Sequence, residues 1–414
     1  MKIITGSVTL LSSLLPYLLS ITLSAAFEVP FPQSSAEIRS SIINTDTDDQ
    51  IIKAPSPNNN NDNTIQPITQ QIKLGSGTLA EVITCIPPKK SPPIFESILS
   101  PLFGNDDKST TKSKEKPTLA FLHGSFHASW CWAEHYMPHF ASLGYPCVAL
   151  SLQGTGGTPT VEVGASKVKI DSHVDDLTAF LQGLSDNTND EGSSLELGLG
   201  NDPEIVLIGH SFGGLTVMKW LEQTYNNNYD DTGTTNNEKQ KINLAGVGML
   251  CSVPPSGNGA MTMRFIRRSL IDAWKITAGF VLKKAITDKT NCRELFFGGV
   301  QDDNGISDEN VERYQSYFER DTVATIDLGD LSKKLPSALV DRDTGKAPFV
   351  ERLPPVFVIG ASEDFIVDRE GVDETARYMG LEEGPLIVDS PHDVMLGRRW
   401  RNGADAILDF VGAL

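Results

Sequence analysis

The stretch Ile205-Val-Leu-Ile-Gly-His-Ser-Phe-Gly-Gly214 decides the fold. Four apolar β-formers run into Gly209-His-Ser-Phe-Gly213, and a helical pattern follows over Phe212–Tyr225. The five-residue pattern alone is weak, since about one chain in eight of this length would match it by chance. Its setting gives it meaning. A serine on a sharp strand-to-helix turn projects its hydroxyl clear of the backbone. Gly209 and Gly213 let neighbouring backbone pass close by, and the helix start offers free N–H groups to developing negative charge. Ser211 is therefore the candidate nucleophile.

Outward from this turn, short apolar runs recur at Thr118–Leu122, Cys147–Leu152, Leu244–Val253, Val356–Ile359 and Leu386–Val388. Runs of this length suit strands buried on both faces of a parallel sheet. Helical stretches at Trp130–Leu143, Asp171–Leu184 and Arg398–Leu414 alternate with them, which predicts right-handed βαβ units in a three-layer α/β domain. Gln71–Leu74 and Thr78–Ile86, joined by Gly75-Ser-Gly77, predict an antiparallel N-terminal hairpin. Residues 87–116, 185–203 and 226–241 read as polar insertions. Residues 254–350 hold helix candidates at Met263–Thr287 and Asp308–Arg320 and no clear strand, and read as a helical cap. The core is then 67–253 with 351–414.

Residues 1–26 have the form of a signal peptide: Lys2, an apolar stretch, and the small residues Ser24-Ala25-Ala26. Residues 27–66, with Asn58-Asn-Asn-Asn-Asp-Asn63, read as a disordered or targeting segment. No later segment is long and apolar enough to span a bilayer. The net charge of −18 argues against a nucleic-acid partner. Five cysteines without metal-ligand spacing read as buried thiols, with room for one disulfide.

A serine hydroxyl needs a base, and the base needs an orienting acid. In this architecture the chain order is serine, acid, histidine. His392 is the sole histidine after Ser211 and follows the last predicted strand. Asp364 is the chosen acid, with Glu363 and Asp368 as alternatives; Asp393 reads as a cap for the following helix. The loop Phe121-Leu-His-Gly-Ser-Phe-His127 follows a predicted central strand. N–H groups of Ser125 and Phe212 are the expected oxyanion donors, and the Ser125 hydroxyl is a further possible donor. His123 reads as a loop-holding residue. His127, His210 and Trp274 are pocket candidates, Trp274 among cap residues that would form an apolar roof. His135 and His139 read as a solvated helix face, and Arg398, Arg399 and Arg401 as surface ion-pair formers. No metal or organic cofactor is required.

Taken together, these residues resemble the α/β-hydrolase superfamily over roughly residues 68–414. The stretch His123-Gly-Ser-Phe-His-Ala-Ser-Trp-Cys-Trp132 is similar to that of the plant methylesterase and hydroxynitrile lyase branch. The resemblance implies hydrolysis of a small-molecule carboxylic ester, or lyase activity on cyanohydrins. Asp393 stands where the lyases carry Lys, which disfavours the lyase. The epoxide hydrolases and haloalkane dehalogenases of the fold have Asp at the elbow, where this chain has Ser211. Other serine-dependent acyl transfer, thioester or C–C bond hydrolysis, and ligand binding without turnover, are the alternative functions. An apolar cap makes lipid-like esters a candidate substrate class. Separately, Leu23-Ser-Ala-Ala-Phe-Glu-Val-Pro30 resembles the signal junction of plastid proteins in diatoms and related algae. The expected location is the secretory route, ending in such a plastid or outside the cell.

Overall fold

The computed structural model describes residues 65–88, 115–185, 197, 199, 202–227, 242–280, 283–299 and 306–414. The expected signal peptide, residues 27–64 and most of the three polar insertions lie outside the described residues.

Ten strands are present among the described residues: β1 (Ile68–Lys73), β2 (Leu79–Cys85), β3 (Thr118–Leu122), β4 (Cys147–Leu150), β5 (Lys167–Val168), β6 (Ile205–His210), β7 (Leu244–Leu250), β8 (Thr325–Ile326), β9 (Val356–Glu363) and β10 (Leu386–Pro391). Eight form one twisted sheet in the order β1-β2-β4-β3-β6-β7-β9-β10. β1 pairs with β2 and β2 with β4 antiparallel, and every other neighbour pair in this sheet is parallel. Helices on its faces complete an α/β-hydrolase architecture.

Every residue of β3, β4 and β6 is buried, as their uninterrupted apolar composition requires. β1 lies at an edge and alternates between exposed and half-buried residues. Gly77, at φ 93°, makes the turn into β2. On one face Phe121 stacks on Trp132 with ring centroids 4.7 Å apart, and Phe140 packs beside it at 6.1 Å. Burying each phenylalanine contributes roughly 1.5–3 kcal/mol.

Several boundaries differ from expectation. The stretch Trp130–Leu143 forms two short helices, Trp130–Ala133 and Tyr136–Ser142, because His135 between them leaves helical geometry at φ −137°. β9 and β10 run three or four residues further than their apolar cores, ending where the site begins. Residues 254–350 lie in the chain between β7 and β9. The helices Asn258–Arg268 and Leu270–Phe280 are separated at Ser269, whose extended backbone (φ −156°) ends the first. Shorter helices Lys284–Thr287 and Lys289–Phe296 follow, then Asp308–Asp321. The expectation of no strand here is corrected: β8 pairs in parallel with β5, where two-residue strands are too short to leave a periodic signal. Asp321 fastens the last of these helices to the core. Its buried carboxylate accepts Trp130 Nε1–H at 2.9 Å and the Gly156 N–H at 2.8 Å.

Candidate active site

Three chain segments converge at the carboxyl ends of β6, β9 and β10, the edge where open α/β sheets bind ligands. Ser211 follows β6 directly and takes φ 51°, a left-handed conformation unusual for a residue with a Cβ. The surrounding backbone holds it there. Its N–H donates to the Leu250 carbonyl at 2.9 Å, and its own carbonyl accepts from Val253 and Gly214 at 3.0 and 3.1 Å. A Cβ on Gly209 would fall 2.7 Å from Gly214 Cα, and one on Gly213 would fall 2.4 Å from the His123 carbonyl oxygen. Both flanking glycines are thus required by close backbone approach. The helix Phe212–Asn227 starts at the next residue.

Asp364 follows β9 and His392 follows β10. His392 Nδ1 lies 2.9 Å from each Asp364 oxygen, and both side chains are about 1% exposed. The carboxylate also accepts N–H groups of Ile366 and Val367, each at 2.8 Å, so its orientation is set before it meets the ring. The buried Cys251 thiol, at the end of β7, lies beside the same carboxylate; burial, with the nearby Asp364, holds that thiol well above its ordinary value. Donation from Nδ1 leaves the Nε2 lone pair of His392 as its basic site. Burial opposes protonation of this ring. Asp364, by charge and hydrogen bond, and Asp393 by charge, outweigh it and raise the ring above the ordinary histidine value.

The other two acids considered are committed elsewhere. Glu363 pairs with Arg399, which also reaches Asp389. Asp368 receives two bonds of 2.7 Å from Arg264 and caps the helix Arg369–Tyr378 through the Gly371 N–H.

The loop after β3 lies against the serine turn. A Cβ on Gly124 would stand 2.7 Å from Ser211 Cβ. Ser125 is exposed, Phe126 takes φ 70° and Phe212 is buried. His123 donates from Nδ1 to the Gly124 carbonyl at 2.8 Å and accepts the Leu152 N–H at Nε2 over 2.9 Å. It is neutral and holds the loop. Burial pushes it down to about 4.

His127 and His210 are both buried, and His210 lies beside His392. His210 Nε2–H donates to the His392 carbonyl at 3.0 Å, with ring centroids 4.8 Å apart. Burial lowers His210 to about 3, so it is a neutral donor. His127 Nδ1 bonds the Ser125 carbonyl at 2.8 Å, and its Nε2 lies 3.0 Å from Asp393 Oδ2. The reading of Asp393 as a helix cap is therefore corrected. Its side chain is fully buried, and the helix Trp400–Gly412 begins without a side-chain cap. Reasoning from the sequence missed the pairing, although each partner sits in a loop already marked by a site residue.

Trp274 is also corrected as a pocket residue. It is 54% exposed, as is Leu270, and Ile271 is 70% exposed. Amphipathic spacing marks an apolar face without saying what that face meets. The rings above the site are instead Phe126, Phe296 and Phe318, with centroids 5.1–6.0 Å apart. His135 and His139 pack on Trp400 rather than forming a solvated face, His135 stacking at 5.2 Å. Arg401 lies over the same indole. All five cysteines are buried and free. Among the described residues, ligand atoms of His210, His392 and Asp393, and of Cys251, Asp364 and His392, lie within 4.8 Å of one another. Both sets contain His392, whose Nδ1 is already engaged by Asp364. No helix of the described residues is long and apolar enough to cross a membrane.

The profile of the alpha/beta hydrolase family matches residues 119–402. The chain belongs to that family. It is similar to Methylesterase 1 and Methylesterase 2 of Arabidopsis thaliana, 27% identical to each over 113 residues. That match covers 27% of this chain and 36% of each relative. Among solved structures it is similar to potato (Solanum tuberosum) epoxide hydrolase I, with a TM-score of 0.50 at 15% identity, covering 84% of this chain and all of that one. It is likewise similar to 2-hydroxy-6-oxo-6-phenylhexa-2,4-dienoate hydrolase from Rhodococcus sp. strain RHA1, with a TM-score of 0.50 at 13% identity, covering 84% and 99%. These two likenesses concern the fold.

Proposed function

We propose that the chain is a carboxylic-ester hydrolase that works through an acyl-enzyme on Ser211. The observation that carries this reading is His392 Nδ1 held 2.9 Å from both oxygens of Asp364, in a loop tied to the serine turn through His210.

In the cycle, Ser211 Oγ attacks the ester carbonyl carbon as His392 Nε2 takes its proton. The imidazolium so formed faces the Asp364 carboxylate, which stabilises it without taking the proton. Backbone N–H groups of Phe212 and Ser125 donate to the oxyanion. The tetrahedral species collapses, the C–O bond to the alcohol breaks, and His392 Nε2–H protonates the leaving oxygen. Water then gives a proton to Nε2 and adds to the acyl carbon. Collapse releases the carboxylic acid and returns the proton to Ser211 Oγ. None of these steps uses a metal or an organic cofactor.

The methylesterase likeness and the similar His123–Trp132 loop favour ester substrates over the other reactions of the fold. Phe126, Phe296 and Phe318 favour an apolar acyl or alcohol group. A fluorophosphonate probe followed by p-nitrophenyl esters of graded acyl length tests the reading. Labelling at Ser211 with turnover of esters is expected. Labelling without ester turnover would move the assignment to thioester or C–C bond cleavage, and absence of labelling would leave a ligand-binding protein.

A further inference from the structure

The cycle above uses one His–Asp pair, yet the site contains two. We propose that His127 and Asp393 form a second, buried His–Asp dyad that positions the loop carrying Ser125 against the loop carrying His392. For its rate consequences the inference rests on the esterase reading; its protonation chemistry does not.

Geometry makes Asp393 the joint between three parts of the molecule. Its side chain receives His127 Nε2 at 3.0 Å, from the loop after β3. Its N–H donates to the carbonyl of Phe296 in the cap at 3.1 Å. Its chain neighbour is His392. His127 passes the connection on, because its Nδ1 reaches the Ser125 carbonyl at 2.8 Å. A carbonyl can only accept, so Nδ1 carries a proton. A proton must also lie on the Nε2–Oδ2 line, since two bare lone pairs would repel. Burial alone would favour a neutral Asp393. The charge and hydrogen bond of His127, with smaller contributions from His210 and His392, instead hold the carboxyl below its ordinary range. The dyad is thus a buried hydrogen-bonded pair with one proton held between Nε2 and Oδ2, walled in by Trp130, Phe296 and Phe318.

Behind Trp130 the buried Asp321 carboxylate is paired with Arg320; the other titratable groups facing the pair, His392 apart, do not carry charge at neutral pH. His123 and His210 are pushed down to about 4 and about 3, mainly by burial. Cys131 on the following helix, Cys251 at the end of β7, and Cys292 and Tyr314 in the cap are pushed up, again mainly by burial. The charges acting on His392 are those of Asp364 and Asp393, and both favour its protonated form. The dyad therefore fixes the loop carrying Ser125 and holds a second carboxylate beside His392.

The test uses the full chain with Asp393→Asn and His127→Gln. Asn keeps an acceptor for His127 and removes the negative charge. Gln removes the ring that links Asp393 to the Ser125 carbonyl. The titration of His392 is followed by NMR of histidine-labelled protein, and the acid limb of kcat/KM on an ester is followed in parallel. The midpoint is expected to fall in D393N by about half a pH unit or more, as loss of a charge at this range in a partly polar site requires. A purely structural role would lower activity without moving the midpoint; an unmoved midpoint in D393N, or an unchanged kcat in H127Q, overturns the proposal. In both variants kcat should drop more than KM rises, because the loop serves the oxyanion. Should either variant fail to fold, the unmutated chain still decides. Its His127 ring is expected to show both nitrogens hydrogen-bonded, and a nitrogen without a hydrogen bond overturns the dyad. Because the NMR readouts need no turnover, loss of the esterase reading would leave this result intact.

Discussion

His210, the residue before Ser211, donates from Nε2 to the main-chain carbonyl of His392 across 3.0 Å, joining residues 182 apart in the chain. The serine turn and the histidine loop are therefore registered by a buried hydrogen bond between a side chain and the backbone, independent of substrate. His210→Ala leaves that carbonyl unpaired, which costs about 1–3 kcal/mol. Thermal denaturation should show the loss, and kcat should fall further than the stability change alone explains once the protein is assayed well below its Tm. Unchanged kcat would show that the tie does not position His392.

The Ser211–Asp364–His392 arrangement predicts a graded series. Ser211→Ala should remove ester turnover to a small residual supplied by the oxyanion donors. Asp364→Asn keeps the shape but lets the ring settle in the wrong tautomer, a change costing about 10⁴ in kcat in the serine proteases. Steady-state kinetics with a p-nitrophenyl ester read both. Equal activity of D364N and the unmutated chain would reassign the acid.

The raised His392 gives a direction to the pH profile. In the proposed cycle the neutral ring is the base, so kcat/KM should rise with pH through a midpoint above the ordinary value of 6.5. A midpoint below 6.5 would mean that burial outweighs the two carboxylates.

Buried neutral histidines predict acid lability. His123, His173 and His210 are lowered to about 4, 3 and 3, mainly by burial. Below pH 6.5 the unfolded chain binds protons that the folded chain refuses, so stability is full above that value and falls as pH drops toward 4. Each group contributes a slope of up to roughly 1.4 kcal/mol per pH unit. His392 acts in the opposite sense: its contribution is full below 6.5 and is lost as pH rises through its raised folded value. Three lowered groups outnumber it, so Tm by calorimetry should decline from pH 6.5 to 4. A flat profile would count against burial of these rings.

Gly124 lies against the serine. A Cβ there would approach Ser211 Cβ to 2.7 Å and the His210 carbonyl oxygen to 3.1 Å, and backbone atoms cannot swing aside. Gly124→Ala should displace the turn and lower kcat by at least tenfold, with a smaller loss of Tm. Gly259→Ala meets nothing within 4 Å and is the matched control at an exposed position of the helix Asn258–Arg268.

What the amino-acid sequence determined by itself was whatever short-range backbone chemistry encodes. Ile205–Gly214 can be read because strand, strained serine and helix are consecutive, and the order of Ser211, Asp364 and His392 follows from the order of the strand ends. The family-level fold was legible for the same reason, since buried parallel strands leave unbroken apolar runs. Tertiary structure decided the rest. Glu363, Asp364 and Asp368 lie within six residues, and only the end of β9 aims one of them at His392 while the other two meet Arg399 and Arg264. Trp274 belongs to an apolar pattern that could face inward or outward, and it faces outward. His127 and Asp393 are 266 residues apart. No local propensity links them, and their pairing exists only because β3 and β10 deliver their loops to the same edge of the sheet.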